Sequence, residues 1–382
     1  MAGLAETSTD ILIIGGGLAG VATARHLARA GAGVIVVERG DIGGAASGAN
    51  AGSLHLQIPH AEFLSLGEGW ARAFAPVLPL MRESVAMWAR LPGEIGADLG
   101  VALTGGILVA RSPAQMQAVA RKAAIERQAG LEVHLLDRAE LAGLAPYVAP
   151  GMIGGAFCPG EGRADPLVAT RALAAAARRD GARILTGVEL VSLAADGAGY
   201  LARCRGRQIR ARRVVNAAGA DAGRIAAMVG VRLPIEGHPL QVTVTEPLAP
   251  LIGHLLYSAA GKLTLKQGGN GRCLIGGGWP SRLRPDGRLA VNPASLLANM
   301  ATAVEAVPAL GAVRALRTWP AVVNGTPDWR PLIGEVPGRP GFFLALFPWM
   351  GFTAGPITGL LTAELVLGRR PAIDLSRISA LA

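Results

Sequence analysis

Cysteine is nearly missing from this chain. Cys158, Cys204 and Cys273 are an odd, widely spaced set. That excludes a disulfide framework and leaves no CxxC or CxxH spacing for zinc, so no metal site is expected and a reducing compartment is the natural setting. Lysine is scarce as well: Lys122, Lys262 and Lys266 are the only ones, although the formal net charge is +10. The charge is arginine, spread along the chain, with one local group at Arg203, Arg205, Arg207, Arg210, Arg212 and Arg213. That group reads as a solvated amphipathic strand pair, or a face for an acidic partner subunit, rather than a nucleic-acid surface. Charged residues make up only 17% and hydrophobic ones 51%, which excludes a disordered chain and implies extensive burial. Met1–Asp10 carries no basic run and no cleavage signal, so a cytoplasmic location is expected. Charge is wholly absent from Gly341 to Ala363, but Pro348, Gly351, Gly355, Pro356 and Gly359 interrupt that stretch. A buried strand, a glycine-rich loop and a helix entered at Pro356 account for it better than a transmembrane segment.

What the chain does have is glycine in ordered places. Asp10–Ile14 is a short apolar run followed directly by Gly15-Gly16-Gly17-Leu18-Ala19-Gly20. An alanine-rich helical pattern runs from about Leu18 to Ala30 and stops at Gly31; a second apolar run, Val34–Val37, ends at Glu38. In such a unit Gly15 permits the tight turn, Gly17 lets backbone approach a pyrophosphate, and Gly20 lets helix and strand pack closely. The helix start offers N–H groups and a positive dipole end to phosphate, and Glu38 can accept from ribose hydroxyls. Strand, glycines, helix, strand and acid in order make a dinucleotide site. The small-residue run Gly43–Ser53, which includes Ala46, Ser47, Asn50, Ala51 and Gly52, can pass backbone amides along a long cofactor, which favours a permanently held FAD over a mobile nicotinamide.

These residues resemble the FAD-dependent D-amino-acid oxidase superfamily, over nearly the whole chain. The anchors are Gly15–Gly20 with Glu38-Arg39, Ala46–Gly52, Val215-Asn216-Ala217-Ala218-Gly219-Ala220, Thr326-Pro327-Asp328 and Gly351–Pro356. Within it, Gly48–His55 is most similar to the β subunits of opine (octopine or nopaline) oxidase-type dehydrogenases, with hydroxyproline and proline dehydrogenase β subunits as near relatives. The resemblance implies an α/β fold. A FAD-binding Rossmann-like domain of glutathione-reductase-like topology (1–90, 151–230 and 323–382) would be joined by a substrate domain with a mainly antiparallel sheet (91–150 and 231–322). It further implies that the backbone of Val188, on a strand pattern Gly187–Leu190, contacts adenine. Ala218-Gly219 would lie near the pyrophosphate and Gly351, Phe352 and Thr353 near the isoalloxazine. In the substrate domain, Ser112-Pro113-Ala114-Gln115 and Asp165-Pro166 read as helix starts. Runs such as Gln241–Thr245, Lys262–Lys266 and Cys273–Gly276 read as strands roofing the flavin.

Amine oxidation by a flavin asks little of side chains beyond a neutral substrate nitrogen and a held Cα–H. His55, Tyr257 and Lys266 are the candidates for the substrate pocket; Lys266 is alternatively a contact for FMN at a subunit interface. Several departures from the family pattern are visible. Val323 stands where glycine-oxidase-like relatives have a carboxylate-binding arginine, while Arg330 nearby reads as part of a surface turn. Phe347–Met350 lacks the cysteine that bonds FAD covalently in monomeric sarcosine oxidases, so FAD is expected to be noncovalent. Cys273–Gly276 offers no oxygen-activating lysine, and Arg163-Ala164-Asp165 lacks the histidine that attaches FMN. The first reading is therefore the β subunit of an opine, D-amino-acid or cyclic-imino-acid dehydrogenase. It would hand electrons to a larger α subunit and a small iron–sulfur subunit, peripheral to the inner membrane through those partners. The second is a stand-alone oxidase making hydrogen peroxide, and the third an RNA-binding flavoprotein.

Overall fold

A computed structural model describes residues 5–381. Met1–Leu4, part of the stretch read for an export signal, and Ala382 lie outside the described residues. The apolar runs at the start of the chain become the centre of an eight-stranded sheet. Its order is Leu332–Glu335, Phe342–Leu346, Arg207–Asn216, Ala5–Ile14, Val34–Val37, Arg183–Leu185. The central pairs are parallel. Leu332–Glu335 is an antiparallel edge, and Leu190–Asp196 and Gly199–Cys204 add an antiparallel flap beside Arg207–Asn216. Ile11–Ile14 and Val34–Val37 are buried on both faces, as continuous β-branched runs under helices should be. The flap carries the arginine group: Arg205 pairs with Glu189, Arg210 with Glu6 and Asp196, and Arg212 with Asp10. These are solvated pairs on an amphipathic strand pair.

The second eight-stranded sheet runs Ala315–Gly325, Glu236–Pro247, Arg272–Gly276, Thr264–Gln267, Leu255–Ser258, Gly106–Ala110, Gly154–Cys158, His134–Asp137. Every neighbouring pair is antiparallel except Leu255–Ser258 with Gly106–Ala110. The helices Pro113–Gln128 and Pro166–Arg179 begin at the sequence-marked caps. Ser112 accepts from Gln115 N and Asp165 accepts from Leu167 N, each with proline in the first turn.

Two local expectations are corrected. The helix expected to enter at Pro356 begins at Gly351 and holds Pro356 inside it. The proline and the packing around it disturb the ladder there, and Ser84 mends it. Its hydroxyl donates to Thr353 O at 2.6 Å and accepts from Ile357 N at 3.4 Å, while Trp88 Nε1 donates to the same carbonyl at 3.0 Å. The glycines of this helix are contact points: a Cβ on Gly355 would meet Leu18 at 2.4 Å, and one on Gly359 would meet Ala22 at 2.3 Å. This close approach to helix Leu18–Arg29 explains the charge-free, glycine-rich stretch. Among the described residues no helix is long and apolar enough to cross a membrane. Val188 is also displaced from its expected strand, which starts only at Leu190. Gly187 takes a left-handed φ of 67°, and Val188 N donates to Glu38 O at 2.9 Å, so backbone pairing still brings it beside the acid.

Candidate active site

The phosphate-loop candidates converge at the start of helix Leu18–Arg29. Gly15 adopts φ 113° and its N–H donates to Val37 O. Gly16 N donates to Glu38 Oε2 at 2.8 Å and Leu18 N to Ser47 Oγ at 3.0 Å. Among the described residues the N–H groups of Gly17 and Ala19 have no acceptor. They sit at the positive end of a helix of 12 residues, the arrangement a pyrophosphate fits. Sterics agree: a Cβ on Gly15 would lie 2.5 Å from Ala217 O and one on Gly20 2.1 Å from Gly15 O. Arg39 forms an ion pair with Asp221 at 2.6 Å, tying the acid loop to Ala218–Gly219 across the sheet end. Asn50 is an internal rivet, donating to Ala46 O and Ser47 O and accepting from Gly52 N at 2.7 Å. Gly52, at φ 74°, approaches Ala164 O so closely that a Cβ would stand 2.2 Å from it.

From this loop a cavity of about 410 Å³ opens between the two sheets. Ala46, Asn50, Ala51 and Ser53 line one side, the roof residues Val242, Tyr257, Thr264 and Val323 another, and Trp329, Trp349, Phe352 and Thr353 a third. No cysteine borders it. Thr353 Oγ1 accepts from His55 N at 2.9 Å and donates to Ser53 O at 3.2 Å, so the helix start fixes the segment that carries His55.

His55 and Tyr257, from opposite walls, meet at 2.8 Å between Nδ1 and Oη. Burial, then the nearby Lys266 charge, push the His55 imidazole down to about 3, so it is neutral at physiological pH. Burial and the Glu161 carboxylate beside it raise the Tyr257 phenol well above its usual value. Lys266 is not on an outer face. It is 1% exposed and donates to Ser53 Oγ, and burial lowers its amine to about 7. Of the three pocket candidates, His55 and Tyr257 line the cavity, while Lys266 stands behind the lining residue Ser53. Lys266 lies directly across the ladder from Leu274, one strand over from the apolar segment Cys273–Gly276. Arg330, by contrast, turns away from the cavity and donates to Ile378 O and Ser379 O.

Sequence reasoning missed the polar support behind His55. Glu161 accepts from Leu56 N at 2.6 Å, Gln57 N at 2.8 Å and Gln57 Nε2 at 2.8 Å. Glu126 accepts from Ile58 N at 2.7 Å and pairs with Lys122 Nζ at 2.5 Å. Three consecutive N–H groups are thus anchored by two fully buried carboxylates. Burial raises both acids, while these hydrogen bonds favour their ionised forms. The i,i+4 spacing of Lys122 and Glu126 is visible in the sequence but reads as an exposed helix pair; nothing local marks it as interior.

The comparisons with known proteins agree with this architecture. A family model described as FAD dependent oxidoreductase matches residues 10–365. Glycine oxidase of Geobacillus kaustophilus is 30% identical over 380 residues, covering 97% of this chain and 96% of that protein. The B component of the opine oxidase of Rhizobium meliloti is 28% identical, with 97% and 96% covered. The crystal structure of L-proline dehydrogenase from P. horikoshii superposes with a TM-score of 0.85 at 26% identity, covering 96% of this chain and 95% of that one. The chain belongs to the DAO family of FAD-dependent oxidoreductases, enzymes that act on amino or amine groups.

Proposed function

We propose that this chain oxidises the C–N bond of an opine, a D-amino acid or a cyclic imino acid, as the catalytic subunit of a dehydrogenase that passes electrons to a partner. The observation that carries the amine chemistry is the His55–Tyr257 pair at the cavity wall. The hydrogen bond to Tyr257 Oη fixes the ring through Nδ1 and leaves Nε2 as the nitrogen available to a substrate. A neutral imidazole so held cannot strip a proton from an ammonium, but it can accept a hydrogen bond from an amine that enters already neutral and so hold the nitrogen while its Cα–H bond breaks. When bound, noncovalently, FAD supplies the acceptor for the hydride leaving Cα. The substrate is left as an imine, which water hydrolyses; an opine would give an amino acid and a 2-oxo acid. Gly15–Gly20, Glu38, Ala46–Gly52, Ala218-Gly219 and Gly351–Thr353 are the proposed cofactor contacts.

The similarity to the opine oxidase component supports an electron partner. A larger α subunit, FMN at the interface and a small iron–sulfur subunit fit that role, and the assembly would be cytoplasmic or peripheral to the inner membrane through its partners. This chain's cysteines are all buried singly and cannot bind a cluster. A second reading, a peroxide-forming oxidase, is favoured by one observation. The buried Lys266 lies just behind the cavity wall at Ser53, and its charged form, about half populated near pH 7, would stabilise superoxide formed on oxygen. The test is the purified single chain in air with a reducing amine. Slow peroxide release with fast reduction of an artificial acceptor supports the dehydrogenase; stoichiometric peroxide at the rate of amine turnover rejects it for the oxidase.

A further inference from the structure

We propose that the substrate carries a large apolar or aromatic arm, and that Trp329 and Trp349 read it. The inference rests on the amine-oxidation reading and names the substrate class for that site. Both tryptophans line the cavity, with ring centroids 5.0 Å apart and planes inclined by 21°. Both have left-handed backbone, φ 66° for Trp329 and 59° for Trp349, a region where a bulky residue stands only if its surroundings hold it. They are held: Trp329 packs edge-on against Trp70 at 5.6 Å and Phe74 at 6.3 Å, and Trp349 lies over His238 at 4.3 Å. The result is a rigid aromatic wall fixed from behind, at the cost of backbone strain that a glycine would avoid.

The same cavity is poor in free charge. Val323 lines it and offers no charge to a carboxylate. Lys122 is engaged by Glu126 and Gln57, Lys262 lies 3.5 Å from Glu62, and Lys266 stands behind the wall, bonded to Ser53 Oγ. Burial, helped by the Lys122 charge, lowers His60 to about 4 and keeps it neutral. The donors left over are uncharged: the Trp349 indole N–H and the His60 ring, buried without a partner among the described residues. A small zwitterion such as glycine would lose the hydration of its carboxylate here and meet no free cation in return. An amine with an aromatic arm gains burial against the tryptophan pair, and its carboxylate needs only the neutral donors.

The experiment compares anaerobic flavin reduction of the holoenzyme by glycine, sarcosine and N-benzylglycine, with N-benzylglycine affinity read separately from tryptophan fluorescence. N-benzylglycine should reduce the flavin at least about tenfold more efficiently than sarcosine, the effect of burying one phenyl ring. Trp329→Gly suits the left-handed backbone while removing the ring. It should weaken N-benzylglycine binding and bring the ratio of the two efficiencies close to one. Glycine or sarcosine reducing the flavin as efficiently as N-benzylglycine overturns the inference and leaves amine oxidation standing, as does a preference that survives Trp329→Gly. Failure of all amines, including N-benzylglycine, overturns both readings.

Discussion

Replacing Gly20 with alanine would build a Cβ 2.1 Å from Gly15 O and 3.3 Å from Ala217 Cβ. Neither neighbour is a flexible tip: one is the carbonyl of the phosphate loop, the other belongs to the strand end beside it. Contacts under 3.0 Å are essentially never tolerated, so helix Leu18–Arg29 must retreat from the loop by about 1 Å, a typical overpacking response. That displacement carries the Gly17 and Ala19 N–H groups outside the roughly 2.7–3.2 Å range in which they could donate to phosphate. Two charge-assisted bonds at about 1.5 kcal/mol each amount to roughly 3 kcal/mol, or about 100-fold in affinity. The assay is FAD titration of the apoprotein by flavin fluorescence, with circular dichroism to verify the fold. Gly93→Ala is the control, because a Cβ there meets nothing within 4 Å and lies in a helix, Leu78–Ile95. A Gly20→Ala protein that binds FAD as tightly as the parent would refute the assignment of this loop to the pyrophosphate.

Tyr257→Phe removes the hydroxyl bonded to His55 and should slow flavin reduction by about 10–100-fold while the protein stays yellow; an unchanged rate in stopped flow would remove Tyr257 from the chemistry. Because Lys266 is lowered from 10.5 to about 7 in the fold, the folded state binds fewer protons than the unfolded chain between those values. Its charge therefore costs stability fully below about pH 7, and stability climbs as pH rises toward 10.5. Urea titrations should find that Lys266→Met flattens this climb; an equal slope in both proteins would contradict the buried, depressed lysine. Ser84→Ala leaves Thr353 O and Ile357 N less satisfied and should lower Tm by about 1–4 °C, from a loss of about 1–3 kcal/mol, as read by differential scanning fluorimetry.

The dinucleotide unit is legible in the sequence because its information is local. Turn, helix start and acid fall within Gly15–Glu38, and Gly20 answers the carbonyl of Gly15 five residues before it, although Gly15 itself meets Ala217 O on a strand distant in sequence. Helix caps at Ser112 and Asp165 are legible for the same reason. Where the decisive contact is distant in sequence, the chain is silent. Pro356 looks like a helix entry because the sequence does not reveal that Ser84 bridges the disturbed turn. Lys266 is legible as a candidate, but its burial behind Ser53 is not, because the register that sets it opposite Leu274 is a property of the folded sheet. The Glu161 and Glu126 anchors under His55 depend on chain segments some 70 to 105 residues apart, and no local pattern announces them. The two left-handed tryptophans are hidden too, since φ > 0 is normally announced by glycine.

Amine oxidation is tested most directly by anaerobic titration of the holoenzyme, purified with whatever subunits accompany it, while the flavin absorbance is followed. The panel is opines, D-amino acids, sarcosine, hydroxyproline and N-benzylglycine, with 2-hydroxy acids as the opposing class. The account predicts bleaching by at least one amine and none by the hydroxy acids. Bleaching by a hydroxy acid with no response to any amine would contradict it.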